Sequence, residues 1–188
     1  MLNYDPGWEA VLQTRIQLRD LNNAHWLHHN LFSFSWWLDA VTIILFAAVW
    51  WKLVDNRRLP EIVMYGLMVS LAATVLDIIG VSAVRWGYPV MVVPLVPPMF
   101  PADLVFLPGT YMLLYQYFPR WKGFAIALTI TAGVLAFVFE PTAQWLKLYE
   151  MNNWKHLYSF PIYVALGIAL KRLLEGIWRY EGAGGAKK

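Results

Sequence analysis

Long runs of apolar residues constrain this chain more than any other feature of its sequence. The first run, residues 34–54, is flanked by Trp36-Trp37 at one end and by Trp50-Trp51-Lys52 at the other. A helix needs about 20 residues to cross the hydrocarbon core of a bilayer, and tryptophan is enriched where spans meet water. Similar runs predict further spans at residues 61–84, 102–118, 121–140 and 157–177. We therefore predict an all-α fold, a polytopic membrane helical bundle with about five transmembrane helices.

The amino-acid composition agrees with a membrane protein. Hydrophobic residues make up 59% of the 188 residues and charged residues only 14%, against about a quarter in soluble domains. The net charge of +3 is too small to indicate nucleic acid binding. The absence of cysteine excludes disulfides and thiol nucleophiles. The chain also lacks a glycine-rich phosphate loop, an HExxH motif and a Gly-x-Ser-x-Gly motif, and its cofactors stay unknown because the sequence implies none strongly.

Three segments outside the spans complete the predicted organisation. Residues 1–33 place apolar side chains at roughly helical spacing between charged ones, which predicts an amphipathic helix at the membrane interface. Residues 88–101 are apolar but contain several prolines, so they are expected to form an interfacial or re-entrant loop instead of a helix. Residues 178–188, rich in glycine, are predicted to be a disordered cytoplasmic tail.

The distribution of basic residues predicts an orientation. With five spans, ten of the 15 Lys and Arg residues fall on one side of the membrane. Because the cytoplasmic side usually carries this excess, we expect a multi-pass protein of the cell membrane with its N-terminus outside and its C-terminus in the cytoplasm. Its expected partner is the lipid bilayer. Further candidate partners are a small ligand or an ion, and a second copy of the chain or a membrane complex.

Charged residues in and beside the apolar runs predict a polar site. If the spans alternate in direction, these residues share one depth in the outer part of the membrane. The predicted ligand- or proton-binding residues are Asp39, Asp77, Asp103, Glu140, Lys155, His156, Tyr158 and Tyr163. A carboxylate inside a span is costly unless it is paired or protonated. We expect an ion pair between Glu140 and Lys155, with the tyrosines supplying hydrogen bonds.

Three histidines near the N-terminus form a candidate metal site. His25, His28 and His29 are spaced i, i+3 and i+4, which places three imidazoles on one face of an α-helix. Such a face can bind zinc or copper. Histidines solvated at the membrane interface are the alternative interpretation.

A set of motifs between residues 60 and 177 is distinctive. It comprises Leu76-Asp77-Ile78-Ile79-Gly80, Pro101-Ala102-Asp103 with Pro108, Tyr111-Met112-Leu113-Leu114-Tyr115-Gln116-Tyr117-Phe118-Pro119-Arg120-Trp121-Lys122, Phe139-Glu140-Pro141 and Trp154-Lys155-His156-Leu157-Tyr158-Ser159-Phe160-Pro161-Ile162-Tyr163. With this set the chain resembles an uncharacterised family of small multi-pass membrane proteins from spore-forming Gram-positive bacteria. The resemblance implies a helical bundle in the plasma or forespore membrane. It implies no catalytic residues.

Three functions are compatible with these patterns. The first is an outward-facing polar pocket that binds, senses or transports a proton, a cation or a small ligand. The second is a membrane-embedded enzyme acting on a lipid or an isoprenoid, with the acids as general acid and base or as metal ligands. The third is a structural subunit of a membrane complex. The sequence favours the first and leaves enzyme activity open.

Overall fold

The computed structural model of the chain describes residues 5–94 and 101–185. Its elements in chain order are α1 (Pro6–His25), α2 (Phe34–Leu53), α3 (Leu59–Ser82), β1 (Trp86–Gly87), α4 (Leu107–Tyr117), α5 (Trp121–Val134), α6 (Glu140–Trp145), β2 (Glu150–Met151) and α7 (His156–Gly185). Wider π turns adjoin these helices at Trp26–Asn30, Ala102–Phe106 and Leu135–Phe139, and a 3-10 turn at Asn56–Arg58 precedes α3. The predicted all-α helical bundle is confirmed.

Four helical segments are long and apolar enough to cross a membrane. They are Phe34–Leu53, Asn56–Ser82, Trp121–Trp145 and His156–Tyr180. Their outer faces are apolar: Leu67 and Leu71 on α3, for example, are 65% and 69% exposed. Exposed apolar faces of this length bury themselves in lipid. The chain is therefore a membrane-embedded protein.

The predicted third span, 102–118, is not a span of full length. Its helical residues are the five of Ala102–Phe106 and the eleven of α4, which at 1.5 Å per residue reach about 24 Å, against about 30 Å of hydrocarbon. α4 is instead an interior helix with Tyr111, Leu114 and Tyr115 buried against its neighbours. Within the described residues the number of candidate spans is four, and the predicted count of five is corrected accordingly.

α3 and α4 run antiparallel to each other. Asp103, in the turn before α4, lies close to Asp77 near the end of α3. At the other end of the pair, the hydroxyl of Tyr115 donates to Glu61 near the start of α3. The two acids Asp77 and Asp103 therefore lie at one end of the bundle.

The α5 segment and α7 are antiparallel as well. Trp121 at the start of α5 donates through Nε1 to Glu175 late in α7, at 2.9 Å. Glu140, which follows the α5 segment, bonds His156 at the start of α7. Because β1 follows α3 and pairs with β2, which follows α6, both acidic groups lie at the same end of the bundle. We call this the acidic end, and the opposite end the basic end.

Two connecting segments cover the acidic end and together form what we call the cap, residues 83–94 and 146–155. β1 and β2 pair within it as an antiparallel ladder of two residues each. The backbone N–H groups of Asn152 and Asn153 then donate to the carbonyl of Arg85 at 3.0 and 3.1 Å. These bonds hold the two segments together above the ends of α3 and α6.

The N-terminal part of the chain supports the cap. Asn30 donates to the carbonyl of Pro89 at 3.1 Å, and Trp36 donates through Nε1 to the carbonyl of Val92 at 3.1 Å. Irregular backbone beside a membrane needs such partners, because lipid offers none. The remainder of the loop predicted at 88–101 includes residues 95–100, which lie outside the described part of the chain.

The two terminal segments differ in how closely they follow prediction. α1 forms a helix within residues 1–33, as expected, and none of its residues is buried. α7 continues through Gly185. Residues 178–185, predicted to belong to a disordered tail, are therefore a continuation of this helix as far as the structure describes them.

Candidate functional site

Asp77 is the centre of a first polar group at the acidic end. Its side chain is buried, and its Oδ1 accepts a hydrogen bond from Trp86 Nε1 at 2.7 Å and another from the Tyr88 hydroxyl at 2.5 Å. Both donors belong to the cap, so this aspartate ties α3 to the cap. Two donors on one carboxylate oxygen stabilise a negative charge there.

Asp103 forms a carboxyl pair with Asp77. The two carboxyl groups lie within hydrogen-bonding reach of each other, and the residues retain only 7% and 6% of their exposure. An ionised carboxylate has no proton to donate in a hydrogen bond. Two of them buried side by side would also repel each other strongly, because water does not screen their charges. The pair is therefore expected to hold one proton. Because Asp77 already accepts two hydrogen bonds from the cap, Asp103 is the carboxyl group on which we expect that proton.

A sharp turn after α3 returns the chain onto Asp77. Val84 in this turn has a φ of 53°, a conformation that is rare for a β-branched residue, and the N–H of Arg85 donates to the carbonyl of Gly80 at 2.9 Å. The indole of Trp86 then lies directly on Gly80, where an added Cβ would be 1.9 Å from Cζ2. Only glycine allows this approach. The glycine therefore sets the position of the indole that bonds Asp77.

Glu140 is the centre of a second polar group. Its Oε2 lies 2.7 Å from His156 Nδ1, and its Oε1 accepts a hydrogen bond from the Tyr163 hydroxyl at 2.8 Å. The side chains of Glu140 and His156 are 11% and 26% exposed. Glu140 opens α6 and His156 opens α7, so two helix starts meet at this acid.

Lys155 does not form the predicted ion pair with Glu140. Its side chain is exposed to the surroundings of the protein. Its backbone carbonyl accepts a hydrogen bond from the N–H of Tyr158 at 2.8 Å, which places Lys155 at the boundary of α7. Tyr158 is also exposed and packs edge-on against Trp154, with ring centroids 5.5 Å apart. Neither residue joins the polar groups. The neighbouring His156 takes the place expected of the lysine.

A double-mutant cycle checks this pairing. We expect Glu140→Ala and His156→Ala to couple by about 1 kcal/mol, because their hydrogen bond is largely shielded from water. Lys155→Ala should change stability by less than about 0.5 kcal/mol, as exposed substitutions do, and should not couple to Glu140→Ala. The measurement is unfolding in mixed micelles of denaturing and native-like detergent. Coupling to Lys155 but not to His156 would contradict the structure.

Tyr149 lies between the two polar groups and was not predicted. Its ring centroid is 5.6 Å from that of Tyr88. Burial raises the pKa of the Tyr149 hydroxyl, and the charges of Glu140 and Asp77 raise it further. Burial also raises the pKa of Tyr88, with the charge of Asp77 adding to the effect. Both hydroxyls therefore stay protonated as donors, and Tyr149 is within electrostatic reach of both groups.

Asp39 is buried on α2 but belongs to neither group. It retains 9% of its exposure. Within the described residues it forms no hydrogen bond or ion pair with Asp77, Asp103 or Glu140. The prediction that it shares a site with these three acids is therefore not supported by the contacts.

The three histidines do not form the predicted metal site. The rings of His25 and His29 lie close together, with centroids 5.3 Å apart, at the π turn Trp26–Asn30. His25 Nε2 instead lies 3.0 Å from the carbonyl of Pro89. Among the residues that the structure describes, no group of three His, Cys, Asp or Glu side chains is placed to hold a metal ion.

Two clefts lie at the end of the bundle opposite Asp77, Asp103 and Glu140. One of about 600 Å³ and one of about 420 Å³ are lined by residues of the basic end. None of the predicted site residues lines either cleft. The acidic end is thus a network in which protein groups, chiefly those of the cap, engage the carboxylates.

Similarity to other proteins adds nothing to this geometry. Comparisons with protein-family models, with curated proteins and with solved structures find no match for this chain. The resemblance to a membrane family of spore-forming bacteria therefore stays a prediction, and the function has to be inferred from the residues of the chain itself.

Proposed function

We propose that this membrane protein binds a proton reversibly at the Asp77–Asp103 pair and thereby senses pH on the side that its acidic end faces. The observation that carries the proposal is the close approach of two buried carboxyl groups, which favours a single proton shared between them. Acidic residues inside membrane proteins often mark proton sites. Loss of the proton would leave two negative charges side by side, which favours separation of the Asp103 turn from α3.

The second polar group offers a route for the proton from solvent. His156 is the more exposed member of its pair with Glu140. Histidine is the side chain whose charge most readily changes near neutral pH, and imidazole and carboxyl groups exchange protons rapidly with water. The charges of Glu140 and Asp77 both act on the Tyr149 hydroxyl. In this proposal His156 and Glu140 receive the proton, the tyrosine hydroxyl connects the groups, and the aspartate pair stores it.

The centre of the bundle favours sensing over transport. Val69, Phe124, Leu128 and Leu174 are fully buried and pack into one apolar cluster between the two ends. Proton transport across a membrane uses a chain of ionisable groups or water, which packed apolar side chains interrupt. A change in helix packing at the acidic end is therefore the consequence of proton binding that fits this core best.

Asp103→Asn tests the proposal by replacing the titrating proton with a fixed amide donor. In the folded, unmodified protein the pair holds one proton, whereas both carboxylates are ionised in the unfolded chain. The free energy of unfolding should therefore fall as pH rises, by up to about 1.4 kcal/mol per pH unit. In the variant this slope should disappear, so its stability should match that of the unmodified protein at acid pH and exceed it at neutral pH. The measurement is unfolding in mixed micelles across a pH series, with infrared detection of the protonated carboxyl group.

Asp20→Asn is the matched control, because Asp20 is an exposed acid on α1 that pairs with Arg19 at 2.8 Å. This control should keep the slope and the infrared band of the buried carboxyl. The proposal is wrong if the unmodified protein shows no protonated carboxyl at any pH, or if Asp103→Asn keeps the original slope.

A structural role is the second candidate for the same residues. The bonds from Trp86 and Tyr88 to Asp77 favour it, because they fasten the cap to α3. A purely structural network would make stability depend on these bonds but would leave no conformational change on titration. Exchange of amide hydrogens in the cap, followed on both sides of the titration, separates the two roles: a sensor should exchange faster after the proton is lost.

We also propose the cell membrane as the location, with the basic end in the cytoplasm and the acidic end outside. Ten of the 15 Lys and Arg residues are predicted on one side, and Arg57, Arg58 and Lys171 lie at the end opposite the acids. An excess of basic residues favours the cytoplasmic side. On this orientation the aspartate pair would respond to the external pH. Membership in the family of small membrane proteins from spore-forming bacteria is proposed from the sequence motifs alone.

A further inference from the structure

The cleft of about 600 Å³ at the basic end is lined largely by charged residues. It lies among the 3-10 turn before α3, the end of α4 and the last part of the membrane segment of α7. Its charged lining residues are Arg57, Arg58, Glu61, Lys171, Glu175 and Arg179. The second cleft, of about 420 Å³, shares Glu175 and Arg179 with it and adds Arg172. Basic groups therefore outnumber acids around one continuous opening.

The acids of the cleft are already engaged by protein donors. Glu61 pairs with Arg58 at 3.2 Å and also accepts a hydrogen bond from the hydroxyl of Tyr115. Glu175 accepts a hydrogen bond from Trp121 Nε1 at 2.9 Å. Arg58 and Glu61 thus largely cancel each other. Glu175 keeps its negative charge, which acts on Lys171, so the excess positive charge of the lining comes from Arg57, Arg172 and Arg179.

Two arginines of the cleft keep donors available for a ligand, and a buried lysine adds positive charge. Within the described residues, the guanidinium groups of Arg57 and Arg179 form no hydrogen bond or ion pair, and both residues are exposed. Lys171 is fully buried, and its Nζ donates to the carbonyls of Phe118 and Pro119 at 3.3 and 3.0 Å. The same ammonium lies over the Phe124 ring, 4.2 Å from its centroid, so it contributes positive charge at the base of the cleft.

The aromatic residues of the cleft point to the depth of lipid headgroups. Trp178 lines the larger cleft and Trp121 the smaller one. The guanidinium of Arg172 lies over the Trp121 ring, 5.5 Å from its centroid. Tryptophan and arginine together are typical of the membrane–water interface, and basic pockets between membrane helices bind the phosphates of anionic lipids.

We propose that this cleft binds a phosphate group with net negative charge, with anionic lipid of the adjoining leaflet as its nearest source. Arg57 and Arg179 supply planar forks that match two phosphate oxygens, and Lys171 supplies a fixed positive charge at the base of the cleft. The proposal is independent of proton binding at the acidic end, because it involves none of the same residues.

The test measures lipid binding to the purified full-length protein by native mass spectrometry, with phosphatidylglycerol and phosphatidylcholine titrated separately. The double variant Arg57→Gln/Arg179→Gln should bind phosphatidylglycerol about tenfold more weakly than the unmodified protein. Lys52→Gln/Lys122→Gln is the matched control, because both lysines are exposed near the same end but line neither cleft. Its affinity should change less than twofold.

A parallel calorimetric titration with inorganic phosphate separates the two sources of the anion. Binding of inorganic phosphate that is lost in the arginine variant, without preference for phosphatidylglycerol, assigns the site to a soluble phosphate and still supports the proposal. Equal loss in the arginine and lysine variants would show attraction to general surface charge and would overturn it. Equal affinity for the two lipids together with no phosphate binding would also overturn it.

Discussion

Asp77→Leu is expected to destabilise the folded protein by about 3 kcal/mol, the largest effect among the acids of the bundle. The substitution removes the acceptor of Trp86 and Tyr88 and the partner of Asp103. A buried polar group left without a partner costs about 1–3 kcal/mol, and three groups lose their partner at once. Unfolding in mixed micelles at neutral pH measures the loss.

Asp77→Asn is the matched control for this prediction. Its amide oxygen still accepts the hydrogen bonds of Trp86 and Tyr88, and its amide nitrogen can donate to Asp103. We expect a loss of less than about 1 kcal/mol, although the pH dependence of stability should weaken. If Asp77→Leu were as stable as Asp77→Asn, the network would contribute little to folding, and the structural role would be wrong.

The fold class could be predicted because the length of an apolar run is set by the thickness of the bilayer. α2 begins at Phe34, where its span was predicted, and α7 begins at His156, one residue from its prediction. The failure at residues 102–118 has a physical reason. Hydrophobicity is similar for a helix that faces lipid and for one that packs among other helices, so apolarity cannot identify α4 as an interior helix.

The sequence predicts how deep in the membrane each residue of the candidate site lies, but not the direction in which its side chain points around the helix axis. Alternating helix directions correctly bring Asp77, Asp103, Glu140 and His156 to one end, because depth follows from counting residues along each span. Neighbouring side chains at a helix start differ in direction by about 100°. Lys155 and His156 are adjacent in sequence, yet only the histidine faces Glu140, and no local pattern decides between them.

The aromatic donors were missed for a different reason. Trp86, Tyr88 and Tyr149 stand in loops beside spans, where such residues usually anchor a protein at the interface. Their role depends on the pairing of β1 with β2, a contact between segments more than 60 residues apart that short-range patterns do not contain. The available signal was the concentration of polar aromatic residues in the two loops that follow Asp77 and Glu140.

Gly80→Ala is expected to destabilise the protein by about 2 kcal/mol through the position of Trp86. An alanine Cβ would lie 1.9 Å from the indole Cζ2, so the ring has to move, and overpacking of this kind costs about 1–3 kcal/mol. Because the same indole donates to Asp77 at 2.7 Å, its displacement should also remove one of the two donors that hold the negative charge of the pair.

Gly133→Ala is the matched control for Gly80→Ala, because its Cβ would lie 3.9 Å from the nearest atom, in Phe160. In a helix that change should be neutral or stabilising by up to about 1 kcal/mol. Unfolding in mixed micelles compares the two variants, and the infrared band of the protonated carboxyl reports on the pair. A shifted band with reduced stability in Gly80→Ala alone would link the cap to the proton site. Equal stability of both variants would mean that the indole is not held against α3, and the cap could not then transmit the protonation state of the aspartates.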